Sequence, residues 1–236
     1  MNGSGLFIWG ILPYIIVTVV VTALIWRYRT NPFSWTSKSS ELLEKRLLKW
    51  GSVLFHYGML AVFCGHVAGL LVPVAWYRAI GVGDEAYHLA AVGGGMLAGL
   101  AALAGALILL YRRFASPRIR ATSSAGDRAA IVVLTLVIAS GLLATAGHGE
   151  FDYRTTIGPW VRSVLALRPD PSLMSTVPIG FKAHIGLTFA LYLLFPFTRL
   201  VHVFSLPLRY LNRSYVLYRR RDGAVYPEQR GRKGAV

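Results

Sequence analysis

The chain has 236 residues, of which 55% are hydrophobic and 15% are charged, and its mean hydropathy is +0.51. A soluble domain carries about 25% charged residues, so this composition excludes an ordinary soluble protein and indicates an integral membrane protein in contact with lipid. The net charge of +15 comes from basic clusters between apolar runs, and this distribution argues against a nucleic-acid partner. The single cysteine, Cys64, excludes an internal disulfide, and its apolar surroundings favour a small buried residue over a metal ligand.

Five apolar runs approach or exceed the roughly 20 residues that a helix needs to cross a bilayer core. The predicted spans are 6–26, 52–76, 89–111, 129–147 and 180–206. The third run is rich in glycine and alanine, which predicts close packing against its neighbours. The predicted fold is therefore an all-α integral membrane bundle of five transmembrane helices.

The segments outside these runs predict smaller elements. Residues 34–50 carry leucines at helical spacing with charges between them, which predicts a short helix at the membrane surface. Residues 148–179 are rich in Pro, Asp and Arg, and predict a mostly irregular loop with a short helix at 160–167. We divide the chain into a membrane domain, 1–215, and a basic polar tail, 216–236.

The basic residues predict the orientation of the bundle. Twenty of the 25 Lys and Arg residues follow the first, third and fifth spans, and five lie in the two other loops. By the positive-inside rule, the N-terminus faces outward and the C-terminus is cytoplasmic. Three basic surfaces then face the cytoplasm, where they are expected to bind a soluble partner.

Four of the six histidines lie in two predicted spans, His56 and His66 in the second and His184 and His202 in the fifth. Because these spans run in opposite directions, His56 and His202 are predicted at the inner level, and His66 and His184 at the outer level. One imidazole from each helix at each level is the arrangement that two stacked haems need. Ligation to iron would also satisfy imidazoles that are otherwise costly in hydrocarbon.

Other interpretations of the histidines remain open at this point. They could form hydrogen bonds within the bundle, or serve a proton relay, although the core lacks the Asp and Glu residues that usually share that work. A single zinc site is disfavoured because the two levels are too far apart. A transporter or scaffold with incidental histidines is a different class, which a b-type spectrum with two redox steps would exclude. Three glycines near the histidines are expected to give a flat porphyrin room: Gly58, Gly65 and Gly186.

Four strings in the chain are distinctive: SSELLEKR, LFHYGMLAVFCGHVAGLLVP, YRRFASPRIRATSSAGD and AHIGLTFALYLLFPFTRLVHVFSLPLRYL. They resemble the gamma subunit of membrane-bound respiratory nitrate reductase, and the resemblance covers nearly the whole chain outside 149–179. It implies a di-haem cytochrome b in a bacterial or archaeal cell membrane. It further implies electron transfer from menaquinol or ubiquinol at the outer face to an iron–sulfur beta subunit, and from there to a molybdenum-containing alpha subunit that reduces nitrate.

The resemblance implies the same two histidine pairs as haem ligands, with His56 and His202 on the inner haem. Arg199, three residues before His202, and Arg112 become candidates for binding haem propionates, because a guanidinium can hold a carboxylate through two bonds. The alternative for Arg112 is that it only anchors the third helix at the membrane interface.

The quinol site departs from the family pattern. The best-known members carry a lysine just before the third helix that helps to hold the quinol, and counting without gaps from Pro73 puts Ala86 at that position. His88 is predicted to take its place as the proton acceptor, beside the outer haem ligand His66. His148 is a weaker candidate for the same role. The haem subunit of a sulfite-reduction complex is the alternative function, and the SPRIRATSSAGD string favours nitrate reductase.

Overall fold

The protein is represented by a computed structural model that describes residues 3–31, 34–35, 40–147, 149 and 151–204. Five helices are long and apolar enough to cross a membrane, and this described part of the chain has no β-strand. We label them α1 (Gly3–Thr30), α2 (Arg46–Leu71), α3 (Asp84–Ala115), α4 (Ala125–Ala146) and α5 (Ile179–Phe197). The predicted all-α bundle of five spans is confirmed. The proposed tail, 216–236, lies outside the described residues.

The helices pack in the order α2, α3, α4, α5 and α1, each against the next. Contacts between helix ends define two ends of the bundle. At the loop end, which holds residues 151–177, the Trp160 indole donates to the Trp9 carbonyl at 2.8 Å and the Tyr14 hydroxyl donates to the Val164 carbonyl at 2.9 Å. At the basic end, which holds residues 116–124, the end of α3 meets the segment that precedes α2.

Two glycines allow α2 and α3 to approach closely. A Cβ atom at Gly58 would lie 2.5 Å from the backbone nitrogen of Ala102, and one at Gly105 would lie 2.3 Å from the backbone nitrogen of Phe55. Real Cβ atoms essentially never come this close to another heavy atom, so neither position accepts a side chain without a backbone shift. The predicted close packing of the third span is confirmed. The expectation that Gly58 gives a porphyrin room is wrong, because α3 fills that space.

The start of α2 corrects one prediction. The helix begins at Arg46, so it includes Leu47 and Leu48, which the sequence assigned to a separate surface helix. Residues 40–45 form a turn at 41–43 and no helix, so the predicted surface helix is wrong over this range. Cys64 lies on an exposed face of α2, so its expected burial is also wrong. In a membrane-spanning helix, an exposed apolar face is one that lipid can cover.

α2 also ends earlier than the predicted 52–76. Its last turn is a π-helix, Val67–Leu71, immediately after His66. Val72 is extended, with φ −82° and ψ 121°, because the following proline disfavours a helical conformation in the residue before it. Pro73 then precedes a separate short helix, Val74–Ala79.

The loop end is more ordered than the sequence indicated. It contains a helix, Ile157–Leu165, and a 3₁₀ turn, Pro171–Met174. Trp160 and Met174 are buried together and pack against Trp9 of α1. The expected short helix is confirmed, although it begins and ends earlier than 160–167.

Candidate functional site

His202 does not lie on α5. That helix ends at Phe197, and His202 belongs to a separate 3₁₀ helix, Arg199–Phe204. Pro196 lacks the N–H that would continue the α-helical ladder. Thr198 is fully extended, with φ −120° and ψ −179°, and its hydroxyl accepts a hydrogen bond from the Leu200 amide at 3.3 Å, which starts the new helix. The prediction of one continuous span over 180–206 is therefore wrong.

The four histidines nevertheless meet in the predicted pairs. The ring centroids of His56 and His202 are 6.2 Å apart, and those of His66 and His184 are 6.3 Å apart. A bond between a metal and an imidazole nitrogen is about 2.0–2.1 Å long. A ring nitrogen lies about 1.15 Å from the ring centre when ring bonds are about 1.35 Å. Two imidazoles on opposite sides of one metal therefore have centroids about 6.3–6.5 Å apart. The centroid distances of both pairs lie within about 0.1 Å of the lower end of this range.

Each of the four imidazoles has its Nδ1 within hydrogen-bond distance of a backbone carbonyl oxygen. The acceptors are Ser52 for His56 at 2.8 Å, Val62 for His66 at 2.8 Å, Val137 for His184 at 3.1 Å and Arg199 for His202 at 2.5 Å. A carbonyl can only accept, so Nδ1–H is the donor in each contact, and Nε2 is the ring nitrogen left for a metal. This is how metal-ligating histidines are usually oriented, with the second nitrogen held by a backbone or carboxylate oxygen.

The space near the pairs fits a flat prosthetic group. A Cβ atom at Gly65 or at Gly186 would meet no other atom within 4 Å, as expected for positions beside a porphyrin. Gly141 of α4 lies directly against the His184 ring, since a Cβ there would be 3.0 Å from Cε1. Within the described residues, no group of three or more His, Cys, Asp and Glu side chains could hold a metal ion. Two axial imidazoles per site suit a haem better than tetrahedral zinc.

The side chain of Arg112 binds the segment that precedes α2. Its side chain is 4% exposed, and Nε donates to the Glu44 carboxylate at 2.7 Å. Its two other nitrogens donate to the Ser40 hydroxyl and to the Ser40 and Glu44 carbonyls, at 2.6–3.0 Å. Burial acts to raise the pKa of Glu44, but hydrogen bonds from the Leu47 amide and Arg112 outweigh it and hold that pKa below its ordinary value. These contacts favour the anchoring role for Arg112 over propionate binding.

Arg199 connects the 3₁₀ helix to the start of α4. Its guanidinium lies 2.8 Å from the Asp127 carboxylate and donates to the Thr122 carbonyl at 3.2 Å. Asp127 also completes a reciprocal capping arrangement with Ser124, in which each side chain accepts from the other's backbone amide. The guanidinium remains partly exposed, with a side-chain accessibility of 23%.

A cavity of about 50 Å³ lies at the loop end, between α3, α4 and the first turn of α5. His88 and Tyr87 of α3 line it, together with Thr145 and Phe181. Phe181 is three residues before His184, and Thr145 donates to the carbonyl of Gly141, the residue that touches the His184 ring. The cavity therefore adjoins the pair formed by His66 and His184. His148 lies outside the described residues.

Sequence reasoning did not find Arg154, which also lines this cavity. Its guanidinium stands 4.2 Å from the centre of the Tyr87 ring and pairs with Asp152 at 2.8 Å and Asp84 at 3.4 Å. The hydrogen bonds that Arg154 donates to the Asp152 carboxylate raise the pKa of Arg154, against the effect of burial. Its Nη1 is buried and makes no hydrogen bond within the described part of the chain. The only sequence signal was an arginine next to acidic residues in a loop with few basic residues.

Comparison with known proteins identifies the family. A profile of the nitrate reductase gamma subunit matches residues 5–221. The chain belongs to this gamma-subunit family. It is 51% identical over 222 residues to the nitrate reductase gamma chain of Bacillus subtilis, covering 93% of this chain and 100% of that one. It is 34% identical over 225 residues to the respiratory nitrate reductase 1 gamma chain of Escherichia coli, covering 94% and 100%.

A third relative extends beyond the family domain. The nitrate reductase-like protein NarX of Mycobacterium tuberculosis is 42% identical over 234 residues, which are 96% of this chain and 36% of that protein. As a gamma-subunit family member, the chain is a multi-pass cell-membrane protein and a cytochrome b electron-transfer subunit of an oxidoreductase complex. The match favours nitrate reductase over the sulfite-reduction complex.

Proposed function

We propose that this gamma-family chain oxidises quinol at the loop end and passes electrons through two b haems to an iron–sulfur subunit at the basic end. The inner haem is ligated by His56 and His202, and the outer haem by His66 and His184. The observation that carries this proposal is the spacing of the two imidazole pairs, 6.2 and 6.3 Å, with each Nδ1 on a carbonyl. A haem held by each pair of histidines would supply a one-electron carrier rather than a site for oxygen.

The direction of electron transfer follows from the distribution of the basic residues. The positive-inside rule makes the basic end cytoplasmic and the loop end external. Electrons from menaquinol or ubiquinol then move inward to the beta subunit and on to the molybdenum-containing alpha subunit. Each elementary charge that crosses the membrane couples to the potential by about 2.3 kcal/mol per 100 mV. The reaction in this chain is therefore electrogenic.

His88 is the proposed proton acceptor at the loop end. Oxidation of one quinol to quinone releases two electrons and two protons, and a neutral imidazole can accept a hydroxyl proton and return it to water. His88 is exposed and lines the cavity beside the outer histidine pair. A water needs roughly 10–15 Å³ of such space, so the cavity of about 50 Å³ has room for a few waters that carry protons outward.

The two arginine candidates have different roles under this proposal. Arg199 lies three residues before His202 and keeps a partly exposed guanidinium, so it remains the candidate for a propionate of the inner haem. The donors of Arg112 are engaged by Ser40 and Glu44, so we assign it to anchoring.

Haem stoichiometry tests the ligand assignment. The purified membrane form is expected to contain two haems per polypeptide, with a b-type spectrum that titrates in two redox steps. His66→Ala should remove the outer haem signal and quinol oxidation, and it should leave the inner haem in place. One haem or none in well-folded wild-type protein refutes the proposal, and loss of the inner haem alone in His66→Ala refutes the assignment of levels.

A second experiment addresses the quinol site. His88→Ala should slow quinol oxidation markedly while both haems remain bound and reducible by dithionite, and His88→Lys should restore part of the rate. Glu85→Gln is the matched control, because Glu85 is exposed on the same first turn of α3 and does not line the cavity. A normal rate in His88→Ala, together with a slow rate in Glu85→Gln, would assign the proton acceptor to Glu85 instead.

A further inference from the structure

The break that precedes His202 is held from outside by an arginine on another helix. Arg27, in the last turn of α1, donates through one terminal nitrogen to the carbonyls of Pro196 and Thr198, at 2.5 and 2.8 Å. Its other two nitrogens donate to the hydroxyl and the carbonyl of Ser34, both at 2.9 Å. All three guanidinium nitrogens of Arg27 therefore donate hydrogen bonds, and one of them serves both carbonyls at the break.

The two carbonyls need such a partner. The last carbonyls of a helix receive no hydrogen bond from an amide of that helix. The break at Pro196 also stops α5 from continuing, so no further turn supplies donors. Both residues that carry these carbonyls are buried, since Pro196 is less than 2% exposed and Thr198 is 3% exposed. A buried carbonyl without a hydrogen bond is costly, so this backbone arrangement depends on the guanidinium.

The opposite side of the same segment is tied to α4. Arg199 is paired with Asp127, and the carbonyl of Arg199 is the oxygen that holds Nδ1 of His202 at 2.5 Å. The 3₁₀ helix that carries His202 is thus held on one side from α1 and on the other side from α4. From α5 itself, the Phe195 carbonyl accepts hydrogen bonds from the Thr198 amide at 3.3 Å and from the Thr198 hydroxyl at 3.2 Å.

We propose that Arg27 is a positioning residue for His202, and that it sets the placement of the inner haem ligand without touching the haem. This inference rests on the proposed function, in which His202 is that ligand. Arginine suits the task because its planar fork binds several acceptors at fixed angles, whereas lysine offers one compact charge on a flexible stem. A ligand displaced by about 1 Å is enough to disturb a preorganised site.

The test compares Arg27→Ala and Arg27→Lys with Arg29→Ala. Arg29 lies in the same helical turn and is exposed, so it matches Arg27 in residue type and membrane depth but not in contacts. The readouts are haem content per polypeptide and the redox and low-spin paramagnetic signals of each haem. The inner signal is defined as the one lost in His56→Ala, and the outer signal as the one lost in His66→Ala.

Arg27→Ala should lower inner haem content at least severalfold, and Arg27→Lys should retain that haem with an altered signal. The outer haem should be unchanged in both, and Arg29→Ala should match wild type. Unchanged inner signals in both Arg27 variants overturn the inference, as does equal loss of both haems in both variants. If Arg27→Ala fails to fold, a selective inner change in Arg27→Lys supports the inference and an unchanged signal refutes it. A wild-type protein with fewer than two haems would instead refute the proposed function.

Discussion

The contact between α2 and α3 makes a strong prediction about Gly105→Ala. The new methyl group would lie 2.3 Å from the Phe55 nitrogen, 2.7 Å from the Phe55 Cα and 2.8 Å from the Gly51 oxygen, whereas ordinary van der Waals contacts are 3.4–4 Å. All three atoms are backbone, so no side chain can rotate away. The helices must separate by about 1 Å to restore normal contact distances.

Two opposing effects set the size of the expected loss in stability. Overpacking of a well-packed contact costs about 1–3 kcal/mol, with the upper part of this range expected for a backbone clash. Alanine is favoured over glycine in a helix by about 1 kcal/mol, which offsets part of that cost. We expect a net loss of about 1–2 kcal/mol, which corresponds to a fall of roughly 2–8 °C in melting temperature for a chain of this size.

The assay is thermal unfolding in detergent, combined with haem content. Phe55 precedes His56, so displacement of α2 should lower inner haem occupancy more than outer haem occupancy. Gly93→Ala is the control, because a Cβ atom there meets nothing within 4 Å and the position shares a helical face with the exposed Leu97 and Leu100. If Gly105→Ala melts at or above the temperature of Gly93→Ala, the argument from close helix approach is wrong.

Three further predictions concern the ends of the bundle. Pro196→Ala should let α5 extend through the break. We expect redox titration to show loss of the inner haem and retention of the outer one. Two intact haems would contradict this prediction. Glu44→Gln should loosen residues 40–45 and increase their cleavage by protease. Because the pKa of Glu44 is lowered, its ion pair with Arg112 should persist until the pH falls through that lowered value, and only below it should wild type be cleaved as fast as the variant. Reporter fusions after Arg120 should be cytoplasmic and those at Asp170 periplasmic, and the reverse pattern would invert the assignment of inner and outer haems.

The bundle and the histidine pairs could be predicted from the sequence because each depends on a simple periodic signal. A run of about twenty apolar residues indicates a membrane span. Two spans that run in opposite directions bring histidines of opposite order to matching levels. The close approach of α2 and α3 followed in the same way from the small residues of the third span.

The polar contacts at the two ends could not be predicted, because they join residues that are distant in the chain. Arg112 and Glu44 are 68 residues apart, and Arg27 and Thr198 are 171 apart. A basic residue after an apolar run predicts only a membrane interface, since the same pattern serves lipid headgroups, partner subunits and backbone carbonyls. The partner of each arginine is decided by tertiary packing.

The spacing of the histidines contained a signal for the break in the fifth span. Ten residues separate His56 from His66, which is a rise of about 15 Å in an α-helix, but eighteen residues separate His184 from His202, which would be a rise of about 27 Å. Two straight helices cannot bring both pairs to about 6 Å when their ligand spacings differ by about 12 Å. One of them must therefore be interrupted, and Pro196 lies between the two histidines whose spacing is too long. The chain direction changes there, at Thr198, and the 3₁₀ helix brings His202 back to the level of His56. The interruption is thus a requirement of pairing both sets of histidines, and the guanidinium of Arg27 satisfies the carbonyls that it leaves without partners.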